Sequence, residues 1–310
     1  MMTQTALNAI KISRFWLLAA AALLSAIYFA VIVNAGDTAH LGISGLFYLA
    51  VASLLWDRRK KIKPQTSLLG IILGAVMIAM VLALSLYVIQ LDLGKGDIVN
   101  AEVSSLASLR LLPLISGLAL AFLTLGIKGL RSFWRELTIL FFLGAPSIVA
   151  SFVIDLSPIT ARFSAFLLWY SGFDVVLKGL VIALPGGGVE VYYGCSGIES
   201  MAYLLGLSAV CLVMFPLFGI KRFFMPMIAI AVGFFINAVR VSLMAILSAS
   251  GDKAAFDYWH QGDGSLIFGL AAVLIFGSIY MLVLQRNPEQ AAEQLSSSAS
   301  ATVESNDARY

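Results

Sequence analysis

Apolar runs of about twenty residues recur along almost the whole of this chain. Wound as a helix at 1.5 Å per residue, such a run crosses the roughly 30 Å hydrocarbon core of a bilayer. Hydrocarbon offers no partner to backbone N–H and C=O groups, so each run must satisfy its own hydrogen bonds as a helix. The composition agrees: 60% of the 310 residues are hydrophobic and 12% charged, whereas soluble domains run nearer half and a quarter. The expected fold class is all-α, a polytopic integral membrane helical bundle. Eight spans are expected, over 15–35, 41–56, 67–90, 107–129, 137–156, 198–220, 223–250 and 265–285. The first run is too long for a signal-peptide core, lacks a small-x-small cleavage site and meets a second span at once. It reads as a retained helix.

Lysine and arginine collect in cytoplasmic loops, which sets the orientation. Lys11 and Arg14 precede the first span, and DRRKKIK (57–63) follows the second. Lys128, Arg131 and Arg135 follow the fourth, Lys221 and Arg222 follow the sixth, and Arg286 closes the last. Every second loop is therefore basic. Both termini are expected in the cytoplasm of a plasma (inner) membrane protein, and the loops near Gly36, Gly94, 158–195 and 251–264 on the outer side.

Residues 163–184 (FSAFLLWYSGFDVVLKGLVIAL) test that parity. They are apolar enough to span, yet Asp174 and Lys178 stand mid-segment as an i,i+4 pair, with Trp169 and Tyr170 nearby. Central charges are costly, and Trp and Tyr favour the interface. The segment is expected to form an interfacial helix lying in or dipping into the outer leaflet. The alternative, a ninth span, would carry Lys221, Arg222 and Arg286 to the wrong side. Residues 1–286 are read as one transmembrane domain, and the polar, Ser- and Ala-rich stretch 287–310 as a disordered cytoplasmic tail.

The net charge of +3 falls in short clusters between spans, so nucleic acid is not an expected partner. Two cysteines make no disulfide framework, and zinc-ligand spacings, a phosphate loop and a dinucleotide fingerprint are missing. No cofactor or metal is expected. Chemistry must come from side chains, and three stand out.

Cys195 lies in GGGVEVYYGCSGIESMAYLLG (186–206), at the outward mouth of the sixth span. A helix N-terminus presents free amides and partial positive charge, which suits a nucleophilic thiolate. Gly194 and Gly197 would let a substrate backbone approach, and the amides of Cys195 and Ser196 are candidate oxyanion donors. The bland reading is a small residue filling a helix cap. Cys211, mid-span, reads as a packing residue.

Arg240, in GFFINAVRVSLMAILSAS, lies ten residues before the outer end of the seventh span. An intramembrane arginine costs roughly 2.5–3.5 kcal/mol on insertion scales and so faces a cavity or a task. Asn237, one turn earlier, could fix the guanidinium. The bland reading is snorkelling, or neutralisation by a buried carboxylate such as Glu199.

His260, in DYWHQGDG (257–264), precedes the last span and is a general acid or base by type. Asp257 and Asp263 flank it at three residues on each side and could orient the ring. The bland reading is an interfacial ornament beside Trp259. His40, the other histidine, is expected in a tight outward loop without such neighbours. A thiol, a guanidinium and an imidazole on three successive spans suit acyl transfer. The residues alone leave open a transporter or flippase, with Arg240 binding an anion, and a non-catalytic partner in exopolysaccharide export.

The ordered segments YYGCSGIES (192–200), INAVRVS (236–242) and YWHQGDG (258–264) resemble the exosortase/archaeosortase family. They are most similar to its cyanobacterial branch, the cyanoexosortase A type. The close likeness covers 189–269; the earlier spans match only as a polytopic half. The resemblance implies a membrane-embedded, sortase-like cysteine protease and transpeptidase. Its partners would be secreted proteins bearing a C-terminal sorting signal: a short motif, a transmembrane helix and a basic cluster. It implies Cys195 as nucleophile, Arg240 as oxyanion or substrate-orienting group, and His260 as acid/base. Archaeal relatives can carry arginine in the last place, so His260 favours the bacterial subgroup.

Overall fold

A computed structural model describes residues 13–35, 38–90, 98–153, 155–260 and 264–286. Eleven helices and one small sheet are found among them. The first half comprises α1 (Arg14–Ala35), α2 (Thr38–Arg58), α3 (Leu68–Gln90), α4 (Ile98–Leu125), a short α5 (Lys128–Ser132) and α6 (Trp134–Val153). The second half comprises α7 (Ser157–Tyr170), the strands β1 (Val176–Lys178), β2 (Val181–Leu184) and β3 (Gly187–Glu190), then α8 (Ile198–Met214) and α9 (Lys221–Ser250). The short α10 (Lys253–His260) and α11 (Gly264–Gln285) close the chain.

Each of the eight expected spans overlaps a helix, although 107–129 runs past α4 into α5 and 198–220 extends beyond the end of α8 at Met214. Five of the helices, α1, α2, α3, α9 and α11, are long and apolar enough to cross a membrane. Residues 109–125 of α4 and all of α8 form shorter apolar helices. The proposed tail, 287–310, lies outside the described residues.

The basic clusters gather at one end of the bundle. Arg14 donates to the Ile62 carbonyl at 2.7 Å, and Arg58 pairs with Glu136 at 3.1 Å. Arg135 donates to the Val213 carbonyl at the end of α8, and Lys221 lies 3.5 Å from the Arg286 carbonyl. Cys195 stands at the opposite end, just before α8 begins.

The segment 163–184 departs from expectation. It is not one helix: only 163–170 are helical, α7 stops at Tyr170, and an antiparallel sheet of order β1-β2-β3 follows. Val176 pairs with Ala183 and Ile182 with Val189. The reason is local. Ser171 and Gly172 end the helix, Gly179 and Leu180 form a two-residue turn, and Pro185-Gly186 forms the next, with Gly186 at φ 102. Proline presets the first central position of such a turn, and glycine meets the positive φ of the second without strain. Strand alternation then places Ile182 and Leu184 on one face. They pack with Ala161, Ala165 and Leu168 of α7 and Val241 and Ala245 of α9, and Cys195 lies at the edge of that cluster. Asp174 and Lys178 consequently have no helical i,i+4 relation; Lys178 ends β1.

His40 also differs from its expected place. It is fully buried near the start of α2, between the hydroxyls of Tyr28 at 2.9 Å from Nε2 and Tyr203 at 3.1 Å from Nδ1. The ring ties α1, α2 and α8 together, since a buried polar group must be hydrogen-bonded. Tyr203 extends this network by donating to Glu199 at 3.2 Å.

Candidate active site

The joint between β3 and α8 is built to hold a thiol. After β3 the chain passes through Tyr192 in extended backbone and folds into a 3-10 turn over Tyr193–Cys195. Gly197 caps α8 in the left-handed region at φ 88. Three bonds clamp this turn. Thr160 of α7 donates to the Ser196 carbonyl at 2.7 Å, and Asn237 of α9 donates to the Cys195 carbonyl at 2.9 Å. The Cys195 amide closes the turn onto the Tyr192 carbonyl at 2.9 Å.

The clamp corrects several expectations. The amides of Cys195 and Ser196 donate inside the turn, to Tyr192 and Tyr193, and are not free to receive an oxyanion. Gly197 is buried against Asn237, so its value is conformational and not access for a substrate; Gly194, at the rim, is the exposed one. Asn237 holds the Cys195 carbonyl instead of the guanidinium. Glu199 is exposed and pairs with Arg110, so it does not neutralise Arg240.

Replacing Gly197 with alanine carries a specific cost. A Cβ there would lie 2.6 Å from Asn237 Nδ2, and the positive φ would strain any L-residue. Strain of this kind is about 1–3 kcal/mol. Gly197→Ala is therefore expected to lower the melting temperature in detergent and to slow alkylation of Cys195, because the clamp must open. Unchanged melting and labelling would show that the turn does not depend on this residue.

Cys195 Sγ lies 3.9 Å from His260 Nε2, within reach of a sulfur hydrogen bond. His260 is the last residue of α10, a short helix packed between α9 and α11. Phe256 tilts against the imidazole at 5.1 Å between ring centres, and Trp259 packs on Phe268 of α11 at 5.7 Å. Arg240 reaches the same loop: its guanidinium donates to the His260 carbonyl at 2.9 Å. The nitrogen nearest its chain, Nε, is buried without a partner among the described residues.

Burial pushes the His260 pKa below 6.5, and the Arg240 charge pushes it further; Asp257 opposes both. Asp257 is exposed and acts on the ring through charge. Asp263 lies outside the described residues. Cys211 packs in a separate apolar cluster between α8, α9 and α11.

A cleft of about 230 Å³ opens over the pair, lined among others by Glu190, Tyr192, Val241, Met244 and Phe256 with Cys195 and His260. Among the described residues no cluster of metal-ligating side chains occurs. What this arrangement can do is move a proton between sulfur and imidazole beside a fixed positive charge.

Thr160, Ser164 and Ser242 did not stand out in the sequence. Ser164 donates to the Ala238 carbonyl at 3.1 Å, and Ser242 to the Ser164 carbonyl at 3.2 Å, stitching α7 to α9 next to the thiol. Hydroxyl residues at i,i+4 on an apolar helix, such as Thr160 and Ser164, are the signal that could have found them.

The model of the transmembrane exosortase family (Exosortase_EpsH) matches residues 33–277. The chain belongs to the transmembrane exosortase family. The match spans most of the bundle and includes all three segments that carry Cys195, Arg240 and His260. Comparison with curated proteins and with solved structures found no match. This exosortase-family chain is a multi-pass membrane protein with apolar helices to suit.

Proposed function

We propose that this protein is a cysteine protease and transpeptidase that cleaves a C-terminal sorting signal from secreted proteins. The approach of Cys195 Sγ to His260 Nε2 carries the reading, because two elements far apart in sequence, the turn before α8 and the end of α10, combine to make it. Family membership supports the reaction class. The order and spacing of the three motif segments favour the cyanobacterial branch, of the cyanoexosortase A type. The segregation of Arg14, Arg58, Arg135, Lys221 and Arg286 away from Cys195 favours cytoplasmic termini and a site toward the extracytoplasmic face of the inner membrane.

In this reading the substrate's membrane helix packs laterally against the bundle and brings its motif to the cleft. Neutral His260 takes the thiol proton, and Cys195 sulfur attacks the scissile carbonyl carbon. The C=O electrons move to oxygen, and the fixed charge of Arg240 favours that oxyanion. The intermediate collapses, the C–N bond breaks, and imidazolium protonates the departing amine. A thioester remains on Cys195. An amine or other nucleophile of a surface acceptor, or water, then releases it.

The test follows the size and surface display of secreted proteins with such signals in cells carrying Cys195→Ala. Full-length, unanchored protein is expected. Normal processing would end the proposal, and loss of function on Arg240→Ala with Cys195→Ala tolerated would indicate transport instead.

The pH dependence has a definite sign. Below its lowered pKa, His260 is already protonated and cannot accept the thiol proton, so the rate should fall on the acid side, below pH 6.5. Asp257→Asn removes the one contribution that raises this pKa and is expected to move the acid limb lower still. Arg240→Gln removes a lowering contribution and should move the limb upward while reducing the rate. A limb that ignores both substitutions would separate it from His260.

A further inference from the structure

The strand that leads into the thiol has a free edge facing the cleft. In an antiparallel ladder, residues alternate between those bonded to the partner strand and those facing away. The Val191 amide donates to the Leu180 carbonyl at 3.0 Å, which assigns Val189 and Val191 to the β2 side. Gly188 and Glu190 therefore face outward. An independent contact agrees: the Gly188 carbonyl accepts from Ser248 of α9 at 2.8 Å, so α9 closes the edge at that point. Two residues later the cover stops. The Glu190 amide and carbonyl have no protein partner among the described residues, and Glu190 lines the same cleft as Cys195 and His260. The Glu190 side chain is exposed, and a charged side chain is a common guard of an unpaired edge against unwanted pairing.

We infer that substrate is held as an added strand on β3, exchanging two backbone hydrogen bonds with Glu190 while its scissile carbonyl lies at Cys195. This rests on the transpeptidase reading and adds how that site takes its substrate. The occupant is an extended peptide, because an N–H and a C=O on one edge residue match one residue of a paired strand. Recognition there reads backbone and not side chains. The stretch of a substrate beside its cleavage point should therefore tolerate varied side chains but not a missing N–H.

Sequence-neutral reagents give the test. The full chain, purified in detergent, is alkylated at Cys195 by chloroacetamide and by two trialanine reagents. One is acetyl-trialanine chloromethyl ketone, with its electrophile at the C-terminal end; the other is chloroacetyl-trialanine amide, with it at the N-terminal end. Each rate, assigned to Cys195 by peptide mapping, is divided by that reagent's rate with glutathione. One of the two peptides is expected to exceed chloroacetamide by about tenfold, the effect of two ordinary hydrogen bonds. Which one does so gives the direction of the bound strand. Glu190→Pro deletes the edge-facing N–H, a change edge strands accept, and should abolish the peptide's advantage over chloroacetamide when both rates are taken on that variant. N-methylalanine versions of the reagent should lose it on the unaltered protein, whatever Glu190→Pro does to folding. Peptide rates equal to chloroacetamide, or an advantage that survives N-methylation, would overturn the added strand alone. A Cys195 inert to all three reagents would overturn it together with the transpeptidase reading.

Discussion

Cys195→Ala is expected to leave sorting-signal proteins uncleaved, a loss of roughly 10⁴–10⁶-fold in turnover. Removing a covalent nucleophile takes away the whole thioester route, and the clamp around it cannot substitute. The protein itself should still fold. Cys195 is only partly buried, and its turn is held through backbone carbonyls that alanine also supplies to Thr160 and Asn237. A melting temperature close to that of the unaltered chain, with processing abolished, separates chemistry from stability. Cys211→Ala is the matching control, since Cys211 packs in another cluster. Were Cys211→Ala to stop processing while Cys195→Ala did not, the site would be wrongly placed.

His260→Gln is expected to slow processing by about 10²–10⁴-fold, the usual range for losing a general acid–base group. Glutamine keeps the backbone carbonyl that Arg240 holds and approximates the ring's length, so the arginine contact survives. What disappears is a group that can take the thiol proton and return it to the leaving amine. Two signatures follow. The acid limb of the rate profile should vanish, and alkylation of Cys195 by iodoacetamide at neutral pH should slow, because the thiolate loses its base. Retention of the acid limb in His260→Gln would assign that titration to another group.

The helices were readable because bilayer spans need long uninterrupted apolar runs, a demand that leaves little room for other structure. The three site segments stood out as anomalies: Cys195 and His260 are reactive side chains at the ends of such runs, and Arg240 is a charge inside one. The hairpin was not, although its punctuation is present in Gly179-Leu180 and Pro185-Gly186. A short apolar run fits a buried strand and a helix equally, and the neighbouring spans biased the choice toward helix. Asp174 and Lys178 explained why the segment does not cross but not what it forms instead. The clamp from Thr160 and Asn237 was hidden for a different reason. Its acceptors are backbone carbonyls, and residue types carry no trace of them. His40 was misplaced because a loop and the first turn of a helix look alike in sequence, while its partners lie 12 and 163 positions away.

A thiol held by backbone clamps beside an imidazole, at the end of the bundle away from its basic clusters, is the centre of this account. Acid quenching of membranes during processing, followed by mass spectrometry of the Cys195 peptide, addresses it most directly. A hydroxylamine-sensitive thioester is expected on Cys195, with the mass of the substrate's acyl fragment, the one that ends at the new C-terminus, less water. Cleavage that proceeds with Cys195 never acylated, or with the adduct on another residue, would contradict it.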